Sequence, residues 1–245
     1  MIFPDAPHVI YKKNPLEQVI CQFRFPPILK IDTQIPAEFQ DAIREEFPMY
    51  LETKEYPPEL PAELLAQLPP ELANSVPVTP TNRMNYKFFT PDEKWNVNLT
   101  NNFLAVTCFE YDRWENFRRH IELPLKVLID IYKPSLFSRI GLRYVNVIKR
   151  SELGLNEIGW SQLIQPHISG ILSVVDQDSV RRALSNDEIK IGEKDELVRI
   201  VHGVAASNRN NEIVYLIDND FFVESNVETT NAIEKLDCYG MNSKK

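Results

Sequence analysis

Glycine is scarce, with seven residues scattered along a chain of 245. Clustered glycines are what bring backbone N–H groups close to phosphate, so a phosphate-cradling loop and a dinucleotide-binding fingerprint are both excluded. Cysteine is scarcer still. Cys21, Cys108 and Cys238 lie far apart, are odd in number and have no zinc-ligand spacing. Cys108 sits inside the apolar run "FLAVTCF", so buried thiols are expected rather than bridges. The four histidines have no metalloprotease spacing, and no serine occupies a nucleophile elbow. His120-Ile121-Glu122 matches half of a zinc-deaminase motif, but its Pro-Cys-x-x-Cys half is missing. No apolar run reaches the ~20 residues that span a bilayer, and "MIFPDAPHVIYKKNP" lacks a charged-then-apolar signal pattern. A cytoplasmic chain with no membrane association and no cofactor is expected.

What is present is an ordinary globular composition, 43% hydrophobic and 25% charged, long enough to bury a substantial core in a single domain over residues 1–245. The net charge of −8 counts against a broad nucleic-acid surface, because phosphate binding needs a basic patch. Arg24, Arg143, Arg181, Arg182 and Arg199 nevertheless fall on expected strands, where a solvated sheet face is the plain reading and a local basic patch the sharper one.

The order of elements repeats. "VICQFRF" alternates with Val19, Cys21, Phe23 and Phe25 on one side, and predicts a strand. "PAEFQDAIREEF" predicts a helix, with Phe39, Ile43 and Phe47 at every fourth position and Pro36 in the first turn. "RMNYKFF", "KWNVNLT" and "FLAVTCFEY" predict three strands, the last two joined at Asn101-Asn102, where asparagine tolerates the positive φ of a tight hairpin. A long helix follows, with Asp112 and Glu115 spaced as a capping box, an apolar stripe from Trp114 to Tyr132, and a kink expected at Pro124. The order then restarts with a strand from Arg139 to Lys149. An amphipathic helix is expected around "GWSQLIQPHISGIL". Strands in "SVRRALSNDEIKI", "ELVRIVHGVAAS" and "EIVYLIDNDFFVE" lead to a final helix from "ETTNAIEKL". The expected fold is α+β, with two pseudo-duplicated strand-helix-three strands-helix halves, about 14–133 and 138–240, forming a mainly antiparallel sheet with helices packed on it. A proline-rich insert at residues 56–82 belongs to the first half alone.

Two places invite chemistry. In "SRIGLRYVNVIKR", Ile140, Leu142 and Tyr144 define an apolar face on which Asn146 is a polar intrusion. Either Asn146 bonds neighbouring backbone at a strand end, or Arg143 and Asn146 line a polar groove. Binding candidates are therefore Arg24, Arg143, Asn146 and Arg199. In "DND", Asp218 and Asp220 face the same way on a strand, which permits a magnesium-type ion; aspartates that merely end a strand are the plainer reading. His202, among apolar residues, reads as a satisfied core imidazole. The final helix offers only Ala232, Ile233 and Leu236 against at least six large apolar side chains in its first-half counterpart. The strands Leu197 to Ala206 and Ile213 to Val223 are therefore expected to be covered by another chain.

Four segments, "NPLEQVICQFRFP", "IPAEFQDAIREEFP", "WNVNLTNNFLAVTCFEYDRWENF" and "RIGLRYVNVI", together resemble a sporadically distributed bacterial family that is functionally uncharacterised and known by a catalogue number. The likeness runs from about Asn14 to Asp220. It implies no established activity, cofactor or catalytic residue. Members usually continue through a longer C-terminal helical region, whereas this chain stops at "LDCYGMNSKK". Sporadic distribution implies mobile genes, defence and toxin–antitoxin modules among them. The expected function is a non-catalytic protein-binding component, an accessory or neutralising subunit of such a system, with a protein partner or self-association through the C-terminal half. The alternatives are a nucleic-acid or nucleotide binder using the arginine-bearing sheet face, and a metal-dependent enzyme using Asp218 and Asp220.

Overall fold

A computed structural model describes residues 13–54, 84–176, 179–192, 195–207 and 211–242. The proline-rich insert lies outside the described residues. In chain order the elements are β1 (Leu16–Arg24), α1 (Leu29–Thr33), α2 (Ala37–Ile43), β2 (Met49–Lys54), β3 (Met84–Phe89), β4 (Trp95–Leu99), β5 (Phe103–Cys108) and α3 (Trp114–Tyr132). Next come β6 (Arg139–Ile148), α4 (Arg150–Leu153), α5 (Trp160–Leu163), α6 (Pro166–Ser169), β7 (Arg182–Lys190), β8 (Glu196–Ala206), β9 (Ile213–Val223) and α7 (Ala232–Asn242). The nine strands form one antiparallel sheet in the order β2-β3-β4-β5-β1-β6-β9-β8-β7. The architecture is α+β. Strands β1 and β6 pair at its centre, and each is flanked by the last strand of the meander that follows it, β5 or β9.

The alternation read from the sequence becomes two faces. On the inner face Val19, Cys21 and Phe23 meet Cys108, Val106 and Leu104 on one side, and Tyr144, Leu142 and Ile140 on the other. Helix α3 lays Phe117, Ile121, Leu125 and Leu128 over this surface, all at most 3% exposed. Each such side chain contributes about 1.5–3 kcal/mol. Neither buried cluster includes an outer-face strand residue, so the cores that the described helices close lie on this face.

Several expectations needed correction. Strand β2 was missed because its side chains are nearly all exposed; as the sheet's outermost strand it is held by hydrogen bonds to β3, not by an apolar face. Asp112 does not cap α3. Arg113 is the N-cap, with extended backbone and no side-chain cap bond, and the Asp112 carboxylate accepts from the Arg113 N–H at 2.7 Å and from Asn116 Nδ2 at 3.1 Å. Pro124 lies buried inside this one helix. Neither Asn101 nor Asn102 has a positive φ. Instead Asn101 Nδ2 donates to Asp32 at 2.5 Å, and the Thr100 hydroxyl donates to Asn102 Oδ1 at 3.0 Å.

The amphipathic helix expected near Trp160 is broken into α5, α6 and a 3-10 turn, Gly170–Ser173. Pro166 has no N–H to continue α5, and Gly170, at φ 52°, takes a backbone angle that L residues avoid. Near both of their ends, strands β8 and β9 are nonetheless covered by elements of the same chain. Near one strand end Val198, Phe221 and Val223 join the core with Ala232, Leu236 and Tyr239 of α7. Near the other, Val204 and Tyr215 are buried against Trp160 and Leu172. The sequence count of α7 missed Tyr239, which is fully buried.

Candidate binding face

The outer face of the sheet is patterned by register. One row of directly opposed residues crosses all nine strands: Met49, Phe89, Asn96, Thr107, Ile20, Arg143, Asp220, Arg199 and Glu188. The next runs Leu51, Lys87, Asn98, Ala105, Gln22, Gly141, Phe222, Leu197 and Lys190. From β6 to β7 the first row alternates in charge, which opposed strand positions favour.

This charged half is internally paired. Arg143 donates to both oxygens of Asp218, Nε at 2.7 Å and Nη2 at 2.5 Å, a two-pronged arrangement suited to guanidinium and carboxylate. The Asp218 hydrogen bond holds the Arg143 pKa above its ordinary value, against the opposing effect of burial. Arg139 reaches Asp220 at 2.7 Å and Glu224 at 3.4 Å, and its guanidinium lies 4.7 Å from the Phe222 ring centre. Arg199 lies over the same ring at 5.3 Å and bonds Glu188 at 3.0 Å. Phe222 is 1% exposed, and the guanidiniums of Arg139 and Arg199 lie over its ring.

The other half, from Gln22 across to β2, differs. It carries amides (Gln22, Asn85, Asn96, Asn98), two half-buried phenylalanines (Phe89 and Phe103) and the cations Lys87 and Arg24. No carboxylate stands opposite any of these residues, and neither cation has a carboxylate partner among the described residues.

The sequence candidates separate accordingly. Arg24, Arg143 and Arg199 do share one face. Asn146 does not. It lies on the inner face, opposite Ile217, and its Nδ2 donates to the Ile217 carbonyl at 3.4 Å. A groove lined by Arg143 and Asn146 is overturned by strand parity, since residues three apart on a strand point to opposite sides. Asp218 and Asp220 face the same way, as expected, but guanidiniums already occupy both carboxylates. A divalent cation there needs displacement of Arg143 or Arg139, and no group of three or more metal-ligating side chains exists among the described residues. His202 is half-buried, with Nδ1 3.0 Å from the Tyr215 hydroxyl and Nε2 3.8 Å from Asp187. His120 stacks on Trp95 at 3.8 Å between ring centres, and Glu122 pairs with Arg118 at 2.7 Å. Sequence reasoning missed Arg139, Gly141, Phe222 and Lys87. Their common signal is the second parity of each strand, the positions between the buried apolar residues.

No helix among the described residues is long and apolar enough to cross a membrane. No family model, no curated protein and no solved structure matches the chain.

Proposed function

We propose that the protein is a non-catalytic protein-binding component acting in the cytoplasm, an accessory or neutralising subunit of a mobile bacterial defence or toxin–antitoxin type system. The observation that carries this reading is a concentration of exposed apolar side chains in the second half. Leu153, Leu163, Ile168, Ile171, Val174 and Val175 project from consecutive short turns, with Ile171 50% and Val174 80% exposed. Such a group is what a protein partner covers, because its contact with water is unfavourable and polar ligands gain nothing from it. The same turns bury Trp160 and Leu172 against the sheet, so the segment is anchored while its outer side chains stay outside. The mobile-system setting comes from the sequence resemblance alone.

Co-expression with the product of the adjacent gene, followed by light scattering, tests this. A complex that Ile171→Glu with Val174→Glu weakens by about a hundredfold is expected, on a scale of about 1.4 kcal/mol per decade for two central apolar contacts. Self-association through the same residues would make the partner a second copy. A lone monomer, or a complex indifferent to both substitutions, would overturn the reading.

A further inference from the structure

We infer that the first half of the outer sheet face, centred on Lys87, Asn98 and Gln22, is a binding platform for single-stranded nucleic acid. Three observations converge on it. The first is charge. In a chain of net charge −8, this stretch has Lys87 and Arg24 free of carboxylate partners among the described residues, while Arg139, Arg143 and Arg199 on the adjoining half are each neutralised by an acid. Lys87 on β3 and Arg24 on β1 stand three strand spacings apart, about 14 Å across the sheet. An anion drawn to this protein is repelled by most of its surface and attracted here.

The second is unsatisfied polarity. Asn96 is 8% exposed, and its Oδ1 has no hydrogen-bond partner among the described residues; the same holds for Asn85 Oδ1. A buried acceptor without a donor costs stability, and rotation of either amide toward the face would relieve it by letting the oxygen take a donor brought from outside. Base amino and imino groups and ribose hydroxyls are such donors. A protein segment also has N–H groups, but it does not bring the phosphates that Lys87 and Arg24 fit.

The third is stacking surface. Phe89 lies in the row beside Asn96, and Phe103 stands directly opposite Arg24. Aromatic rings on an open sheet, flanked by amides and cations, are how sheet surfaces hold unpaired bases. A duplex hides its base faces and gains nothing from either ring, so a single strand is the occupant. This site shares no residue with the apolar turns of the second half.

Fluorescence anisotropy with labelled oligothymidine, oligouridine and a duplex of equal length tests the inference. The expected result is binding of single strands at low salt, with affinity falling as a power of salt concentration. Lys87→Ala with Arg24→Ala should lower the slope of that power law by about 0.7 per cation. Phe103→Ala should weaken binding about tenfold and leave the slope unchanged. Arg199→Ala, on the paired half of the face, should change neither. Thermal melts of each variant confirm that the fold is kept. Absence of binding at low salt, a slope unchanged in the double variant, or equal affinity for the duplex would each overturn the platform. Loss of the partner complex through Ile171 and Val174 would leave these results untouched, so the two readings fail separately.

Discussion

The guanidinium of Arg139 lies over the backbone of Gly141 and fills the place where a side chain at 141 would begin. From there it reaches Asp220 and the Phe222 ring. Gly141 thus serves as a gap in the outer face, not as a turn. Gly141→Ala should push Arg139 off its partners and destabilise by about 1–3 kcal/mol, read as a lower denaturant midpoint. Gly203→Ala should cost more. Its φ is 138°, and the added carbon meets the Ala183 backbone carbonyl, which cannot swing away as an arginine can. A larger loss for Gly141→Ala would contradict this.

Tyr239 separates packing from polarity at one position. Its ring is fully buried under α7, and its hydroxyl has no partner among the described residues. Tyr239→Phe should leave stability unchanged or slightly raised, because an unsatisfied buried hydroxyl is removed. Tyr239→Ala should lose about 3–5 kcal/mol, comparable with other large aromatic truncations. Urea melts of both variants measure this, and a mild Tyr239→Ala would show that α7 does not close the core.

The thiols should divide in reactivity. Burial raises the pKa of Cys21 well above its ordinary value and pushes Cys108 up to about 11, so neither forms thiolate near neutrality. Cys238 is exposed. A thiol reagent at pH 8 should modify Cys238 alone in the native protein and all three cysteines in denaturant. Rapid labelling of Cys21 or Cys108 under native conditions would argue against the packed centre of the sheet.

Glu46 gives a pH signature. Burial raises its pKa above 4.5, with His120 and Arg119 partly opposing the shift. The folded state therefore holds the proton more tightly than the unfolded chain. Stability from this group is present below the ordinary carboxylate pKa and lost as pH rises through the raised folded pKa. Relative to Glu46→Gln, the wild-type melting temperature should fall as pH rises through that range. A difference that stays constant with pH would rule the shift out.

Long apolar runs made most of the sheet legible in the sequence. Burial follows period two in β1 and β3, while β6 and β9 are buried on both sides along part of their length, and the stripe of α3 follows the helical period. The same parity put Arg24, Arg143 and Arg199 on one side before any pairing was known. Tertiary structure alone decided the rest. β2 has no buried face, so its hydrogen bonds to β3, with the Tyr50–Phe88 ring contact, define it. Whether Asp218 and Asp220 hold a metal depends on Arg143 and Arg139, some 75 and 81 residues away in sequence, and no local pattern shows that they are paired. Register is likewise non-local: Ile20 stands between Thr107 and Arg143 because β1 and β6 meet at the centre of the sheet. Local periodicity determines which side of a strand is buried. What stands beside each exposed residue is set by strand order, and that is where Arg143 becomes a paired charge while Lys87 has no carboxylate partner among the described residues.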